Sequence, residues 1–155
     1  MKGGFYIDLA NLYHSVNKRH DLKIDYVKIL KSLKDRYELT TLKTHAYGAQ
    51  KKDEANNFIS FLRSMSIVPH YKKIRMVSPT QSKANWDVGM TIDVIKHMNQ
   101  YDIIFLGTGD GDFSDLVNYI QDAGITCVVI GCNISSELLL VAQECIELTE
   151  EMMFT

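Results

Sequence analysis

The chain has 155 residues, 46% hydrophobic and 23% charged, which excludes a disordered or low-complexity polypeptide and suits a single domain over residues 1–155. Its formal charge of −2 excludes a molecule basic overall, so a nucleic-acid partner would need a local basic strip or metal ions. No run reaches the roughly 18 apolar residues of a membrane span, the start MKGGFYIDLANLYH lacks a signal-peptide pattern, and Cys127, Cys132 and Cys145 lack zinc spacing; the expectation is a cytoplasmic protein with free thiols.

In chain order, GFYID (4–8) reads as a strand closed by Asp8, with Asn11 three residues on at a helix start. Asp8 is open to two readings, an N-cap or a ligand at the strand end. Tyr26, Ile29, Leu30 and Leu33 have helical spacing behind the capping residue Asp25, and LTTLKTHAYG (39–48) follows as a strand. Phe58, Leu62 and Met65 predict a helix for which Asp53 is a candidate cap, before the strand SIVPHYK (66–72). The basic segment HYKKIRMVSPTQSKAN (70–85) reads as a mobile loop because of Ser78, Pro79, Thr80 and Ser82.

Val88, Ile92 and Ile95 then define a helix face, expected to be the buried one. YDIIFLGTG (101–109) and GITCVVIG (124–131) contain unbroken apolar runs, the mark of strands covered on both faces in a parallel sheet. Between them Phe113, Leu116, Val117 and Ile120 form a helical stripe ended by Gly124, and ECIEL (144–148) is the last strand. Alternating β and α predicts an α/β sandwich around a mostly parallel sheet, whose ligands gather at the carboxyl ends of the strands near the switch in strand order. Asp8 and Asp110 should both emerge on that edge.

The loop GTGDGDFS concentrates the chemistry. It fails as a dinucleotide fingerprint, because Asp112 stands where the third glycine belongs and acids repel a pyrophosphate. Asp110 and Asp112 repel each other unless a cation lies between them, and Mg²⁺ needs only one or two direct carboxylates; the glycines would let the backbone turn sharply enough to aim them. In KANWDVGMTIDVIKH, Asp87 and Asp93 lie about 120° apart round a helix, so Asp87, nearer the helix N-terminus, is the candidate ligand and Asp93 supports a neighbour. Histidines at 14, 20, 45, 70 and 97 form no cluster by spacing, and Trp86 could stack on a base or simply pack.

YIDLANLY, KxxWDVGMTIDV, FLGTGDGDFSDLV and GITCVVIG, in that order, resemble the NYN domain family, LabA-like relatives of the PIN-domain nucleases. The resemblance implies a PIN-like three-layer α/β/α fold and an acidic Mg²⁺ or Mn²⁺ site for hydrolysing RNA. By position, Asp8 and Asn11 match the family's D-x-x-N, Asp87 the helix-borne acid that follows Lys83, and Asp110 and Asp112 its D-x-D pair, with Phe113 as buried anchor. One departure is Ala142–Cys145, A-Q-E-C, where the family commonly has A-D-x-F. The reading that follows is a metal-dependent ribonuclease acting on single-stranded RNA, leaving a 3'-hydroxyl and a 5'-phosphate. Asp8, Asp87, Asp110 and Asp112 would hold one or two ions that activate water. Asn11 and Ser114 would position water or phosphate, and Lys72, Lys73, Arg75 and Lys83 would bind the RNA backbone. The alternative is a catalytically silent RNA-binding or scaffold module of the same fold. A phosphoacceptor domain is disfavoured because CVVIGCN offers no lysine at a late strand end, and the tail EEMMFT is a candidate homodimer contact.

Overall fold

The computed structural model describes residues 1–20, 23–50, 56–73, 75–78, 81–83 and 85–154; the side chains at 17–20, 23, 50, 73, 75–78, 81–83 and 153–154 lie outside the described set. The elements run β1 (Lys2–Asp8), α1 (Leu9–His20), β2 (Lys23–Ile24), α2 (Tyr26–Arg36), β3 (Thr41–Gln50), α3 (Asn56–Ser64), β4 (Ile67–Lys73), β5 (Arg75–Ser78) and β6 (Gln81–Lys83). They continue with α4 (Asp87–His97), β7 (Ile103–Gly107), α5 (Ser114–Asp122), β8 (Thr126–Gly131), α6 (Ser136–Val141), β9 (Glu144–Glu147) and β10 (Met153–Phe154).

Six strands form one parallel sheet in the order β4-β3-β1-β7-β8-β9. These are the six strands expected from the apolar runs. Burial of every residue from Ile103 to Gly107 and from Cys127 to Gly131 explains the unbroken hydrophobicity, since helices cover both faces. One face packs Phe5, Ile7, Ala46 and Ile67 against α1, α2 and α3; the other packs Tyr6, Ile104, Leu106 and Val129 against α4, α5 and α6. The result is a three-layer α/β/α sandwich. The chain builds outward from β1 to β4, then returns to the other side of β1 with β7, so the strand order switches between β1 and β7.

Local signals placed two helix ends. Asp25 accepts a hydrogen bond from the Lys28 amide at 3.1 Å, the N-cap that starts α2. Phe113, Leu116, Val117 and Ile120 are buried, and Gly124, at φ +81°, takes the left-handed turn that ends this stretch. Asp53, the candidate cap of α3, lies outside the described residues.

Two expectations are corrected. The stripe Val88, Ile92 and Ile95 faces outward at 73%, 47% and 39% exposure, while Met90 and Val94 are fully buried. Helix α4 carries two apolar stripes, and periodicity cannot choose between them. Its polar anchors can: Trp86 and Asp93 bond to β3, and those bonds rotate Met90 and Val94 onto the sheet. The segment 70–85 is also not one loop. Strand β4 continues to Lys73, and β5 and β6 pair antiparallel, in strands of four and three residues, too short for alternation to signal. The tail pairs within its own chain, β10 against β2, and the Asp25 amide donates to Met152 O at 3.2 Å. Among the described residues no helix is long and apolar enough to cross a membrane.

Candidate metal centre

The centre is built at the strand-order switch, where β1 and β7 end side by side. Asp8 is the last residue of β1. Its Oδ1 accepts the Asn11 amide at 3.2 Å, capping α1, while Oδ2 faces the Thr108 hydroxyl at 3.4 Å. The cap reading of Asp8 is thus met on one oxygen, while the other oxygen faces Thr108 at the edge of the acidic cluster. Thr108, wholly buried, also accepts the Asp110 amide on Oγ1 at 3.1 Å. Its hydroxyl thus joins the end of the first strand to the loop after β7.

That loop is held from three sides. The Gly109 amide donates to Asn11 Oδ1 at 2.8 Å, Gly109 O accepts from the Ser135 amide at 3.0 Å, and Asp110 Oδ1 accepts the Asp112 amide at 2.9 Å. Ser114 donates its hydroxyl to Gly111 O at 2.6 Å, tightening the 3-10 turn Gly111–Phe113 that leads into α5. The glycines do not serve a left-handed turn, since among described glycines only Gly124 has positive φ. They serve close approach. A Cβ on Gly109 would stand 3.2 Å from Asn133 O, and one on Gly111 would stand 2.9 Å from both Ser135 Oγ and Glu137 Oε2.

Asp87 arrives from the opposite direction, at the first turn of α4. Its amide donates to Asn85 Oδ1 at 2.6 Å, and the Asn85 side-chain amide reaches back toward its Oδ2 at 3.4 Å. Trp86 pins the same turn by donating Nε1–H to Gly48 O at 2.7 Å, and its ring packs edge-on against Tyr47 and His70. Trp86 is thus a packing residue in this fold. Lys72 Nζ lies 4.1 Å over the indole and donates to Asn85 O at 3.1 Å, which places one cation on the turn that leads into Asp87.

One carboxylate oxygen from each of Asp87, Asp110 and Asp112 lies within 4.8 Å of the others, and this is the grouping of metal-ligating residues found among the described residues. Cis and trans oxygens around Mg²⁺ lie about 3 and 4 Å apart, so the three carboxylates fit one small cation after slight closure. The electrostatics point the same way. Burial, with Asp110 and Asp112 nearby, raises the Asp87 carboxyl above its ordinary range against the opposing Asn85 bond. Burial first, then the charges of Asp87 and Asp110, push Asp8 up to about 6 despite its hydrogen bonds to Asn11 and Thr108.

The structure therefore brings together Asp87, Asp110 and Asp112, sets Asp8 beside them outside the trio, and uses Asn11 and Ser114 to shape the loop. Lys72 is adjacent; the side chains of Lys73, Arg75 and Lys83 lie outside the described residues. Asp93 supports a neighbour, as its helical angle predicted, by accepting the Tyr47 hydroxyl at 2.9 Å. Gln143 stands clear of the centre, accepting the Cys127 amide at 3.3 Å near the amino end of β8. Thr108 and Asn85 escaped the sequence reading. Their signal was position alone, a hydroxyl between two loop glycines and an amide two residues before a helix-borne acid.

A parallel α/β/α sandwich with an acidic cluster at its strand switch is the architecture of the PIN-like class, which includes the NYN family. The NYN domain family profile matches residues 4–149, nearly the whole chain, and the protein belongs to that family. A protein of unknown function from Vibrio parahaemolyticus RIMD 2210633, VPA0982, has a crystal structure similar to this fold, with a TM-score of 0.88 and 25% identity over 99% of this chain and 96% of the other. No curated protein matches the chain. Family membership points to nuclease-type chemistry, and the acidic cluster such chemistry needs is present.

Proposed function

We propose that this protein is a divalent-metal-dependent ribonuclease. The observation that carries the reading is the convergence of Asp87, Asp110 and Asp112 from a helix N-terminus and a separate loop onto a volume that fits one cation. A silent domain would gain nothing from three acids held against their mutual repulsion.

Asp87, Asp110 and Asp112 would hold Mg²⁺ or Mn²⁺, which when bound supplies Lewis acidity at a phosphoryl oxygen and acidifies water. Asp8 completes the acidic wall and keeps β1 attached to the loop through Thr108. Asn11 and Ser114 keep the loop in the shape that aims Asp110 and Asp112. Lys72 supplies positive charge for a phosphate at the flank. Attack of water on the phosphodiester would leave a 5'-phosphate and a 3'-hydroxyl.

The test is cleavage of labelled single-stranded RNA with Mn²⁺ or Mg²⁺, and with chelator. Activity is expected only with metal, and Asp110→Asn is expected to lower it by about 100-fold or more, the scale of losing an electrostatic element of a catalytic site. Binding without metal-dependent cleavage would overturn the proposal in favour of a silent module.

A further inference from the structure

On the α4 side of the sheet, cover thins toward the edge. Tyr6 on β1 and Tyr47 on β3 are buried beneath α4, His45 and His70 are half-buried, and Lys43 and Lys72 are exposed. The register explains the grouping. Asp8, Tyr47 and His70 occupy one row across β1, β3 and β4, and Tyr6 and His45 share the row beneath. Residues in one row of a parallel sheet, and alternate residues along a strand, present side chains to one face. Lys43, His45, His70 and Lys72 therefore line a strip along β3 and the edge strand β4, with Asp93 and His97 on the adjoining flank of α4. The upper end of this strip is the Lys72 ammonium over Trp86, one residue from Asp87.

We infer that this strip beside α4 is a binding track for the backbone of a single-stranded RNA leading into the acidic centre. The inference deepens the ribonuclease reading and rests on it. Three observations argue for a polyanion. Lys43 and Lys72 put fixed positive charge at the two ends of the strip in a protein whose net charge is negative. His45 Nδ1 and His70 Nε2 lie 2.9 Å apart, so one donates to the other, and in either tautomer the neutral pair keeps one further ring N–H to offer a phosphate oxygen. Burial and the neighbouring His70 and Lys43 push His45 down to about 4, so the pair is uncharged at neutral pH and acts by hydrogen bonding.

The stacked rings fix the histidine pair in place. Tyr6 stacks on His45 at 5.2 Å and 7°, Tyr47 on His70 at 4.6 Å and 9°, and His45 on His70 at 5.2 Å and 29°. This array reaches the edge strand at His70. Tyr6 and Tyr47 are buried, so the array holds His45 and His70 in place for contact with backbone charge, which reads little sequence. The strip shares Lys72 with the basic contacts read from the sequence and adds Lys43, His45 and His70; Arg75 and Lys83 of that set belong to β5 and β6.

The test is fluorescence anisotropy of a labelled single-stranded RNA of about a dozen nucleotides, a length within the range of single-strand sites, on full-length Asp110→Asn protein with Mg²⁺. The double variant Lys43→Ala/Lys72→Ala is expected to weaken binding roughly tenfold and to make the log affinity against log salt slope shallower by about 1.4, at about 0.7 per single-strand phosphate contact. The double variant His45→Phe/His70→Phe, which keeps both rings and removes the free N–H whichever ring carries it, is expected to cost a few-fold with the slope unchanged. Lys31→Ala/Lys34→Ala, on α2 in the opposite layer, serves as the control. Unchanged affinity and slope in Lys43→Ala/Lys72→Ala, or an equal loss in the α2 control, overturns the track. Cleavage by the parent protein, followed in parallel, separates the two proposals: a track that binds in a protein that never cleaves retires the nuclease, and cleavage with an unaffected lysine double variant retires the track.

Discussion

At the scale of single residues, Asp8 shows how one carboxylate serves two demands at a cost. It caps α1 and faces Thr108, yet its burial next to Asp87 and Asp110 raises it from 3.8 to about 6. A carboxyl raised in the folded state favours folding only while protonated. Its contribution is full below the unfolded value and is lost as pH rises from about 4 to 6, by about 3 kcal/mol at most at 1.36 kcal/mol per unit. The metal-free protein is therefore expected to lose stability to urea across that interval. Asp8→Asn, which keeps a capping oxygen, is expected to flatten the profile and to stabilise the protein by about 1–3 kcal/mol at pH 7. A profile unchanged by the substitution would show that Asp8 does not carry this strain.

At the scale of elements, α4 decides the geometry. It supplies Asp87 to the centre, Trp86 to the Gly48 carbonyl and Asp93 to Tyr47, and these polar bonds choose which apolar stripe is buried. Met90→Ala is expected to cost about 2–5 kcal/mol, as for other buried methionines, while Ile92→Ala stays within about 0.5 kcal/mol. Equal costs in chemical denaturation would contradict the orientation of the helix, and with it the aim of Asp87. Gly89 adds a constraint on the same helix. A Cβ there would stand 2.7 Å from Trp86 Cε3, so the indole can lie against the helix only because that residue has no side chain.

At the scale of the whole molecule, the centre ties distant parts of the chain. Strand β1, the loop after β7 and the start of α4 meet because the strand order reverses between β1 and β7. A cation held there binds the folded state alone. Mn²⁺ at 100 times its Kd is expected to stabilise the protein by about 2.7 kcal/mol. At about 2–4 °C per kcal/mol for a chain of this size, that is a rise in Tm of roughly 5–10 °C. Asp112→Asn is expected to remove most of that rise in a thermal scan, and an undiminished rise would place the ion elsewhere.

The six sheet strands were legible in the sequence because residues buried on both faces must be apolar without interruption, and Asp25 and Gly124 marked helix ends through chemistry that acts within a few residues. The acids at 8, 87, 110 and 112 were legible as candidates for the same reason, since each follows an apolar strand or opens a helix. Tertiary structure alone decided that three of them converge and that Asp8 stands beside them. It also decided that Met90 and Val94 face inward, that the loop glycines serve close packing, that Thr108 and Asn85 brace the centre, and that His45 meets His70. Each of these depends on contacts between residues far apart in the chain, set by the order of the strands and the rotation of α4, and no local pattern of residues encodes either.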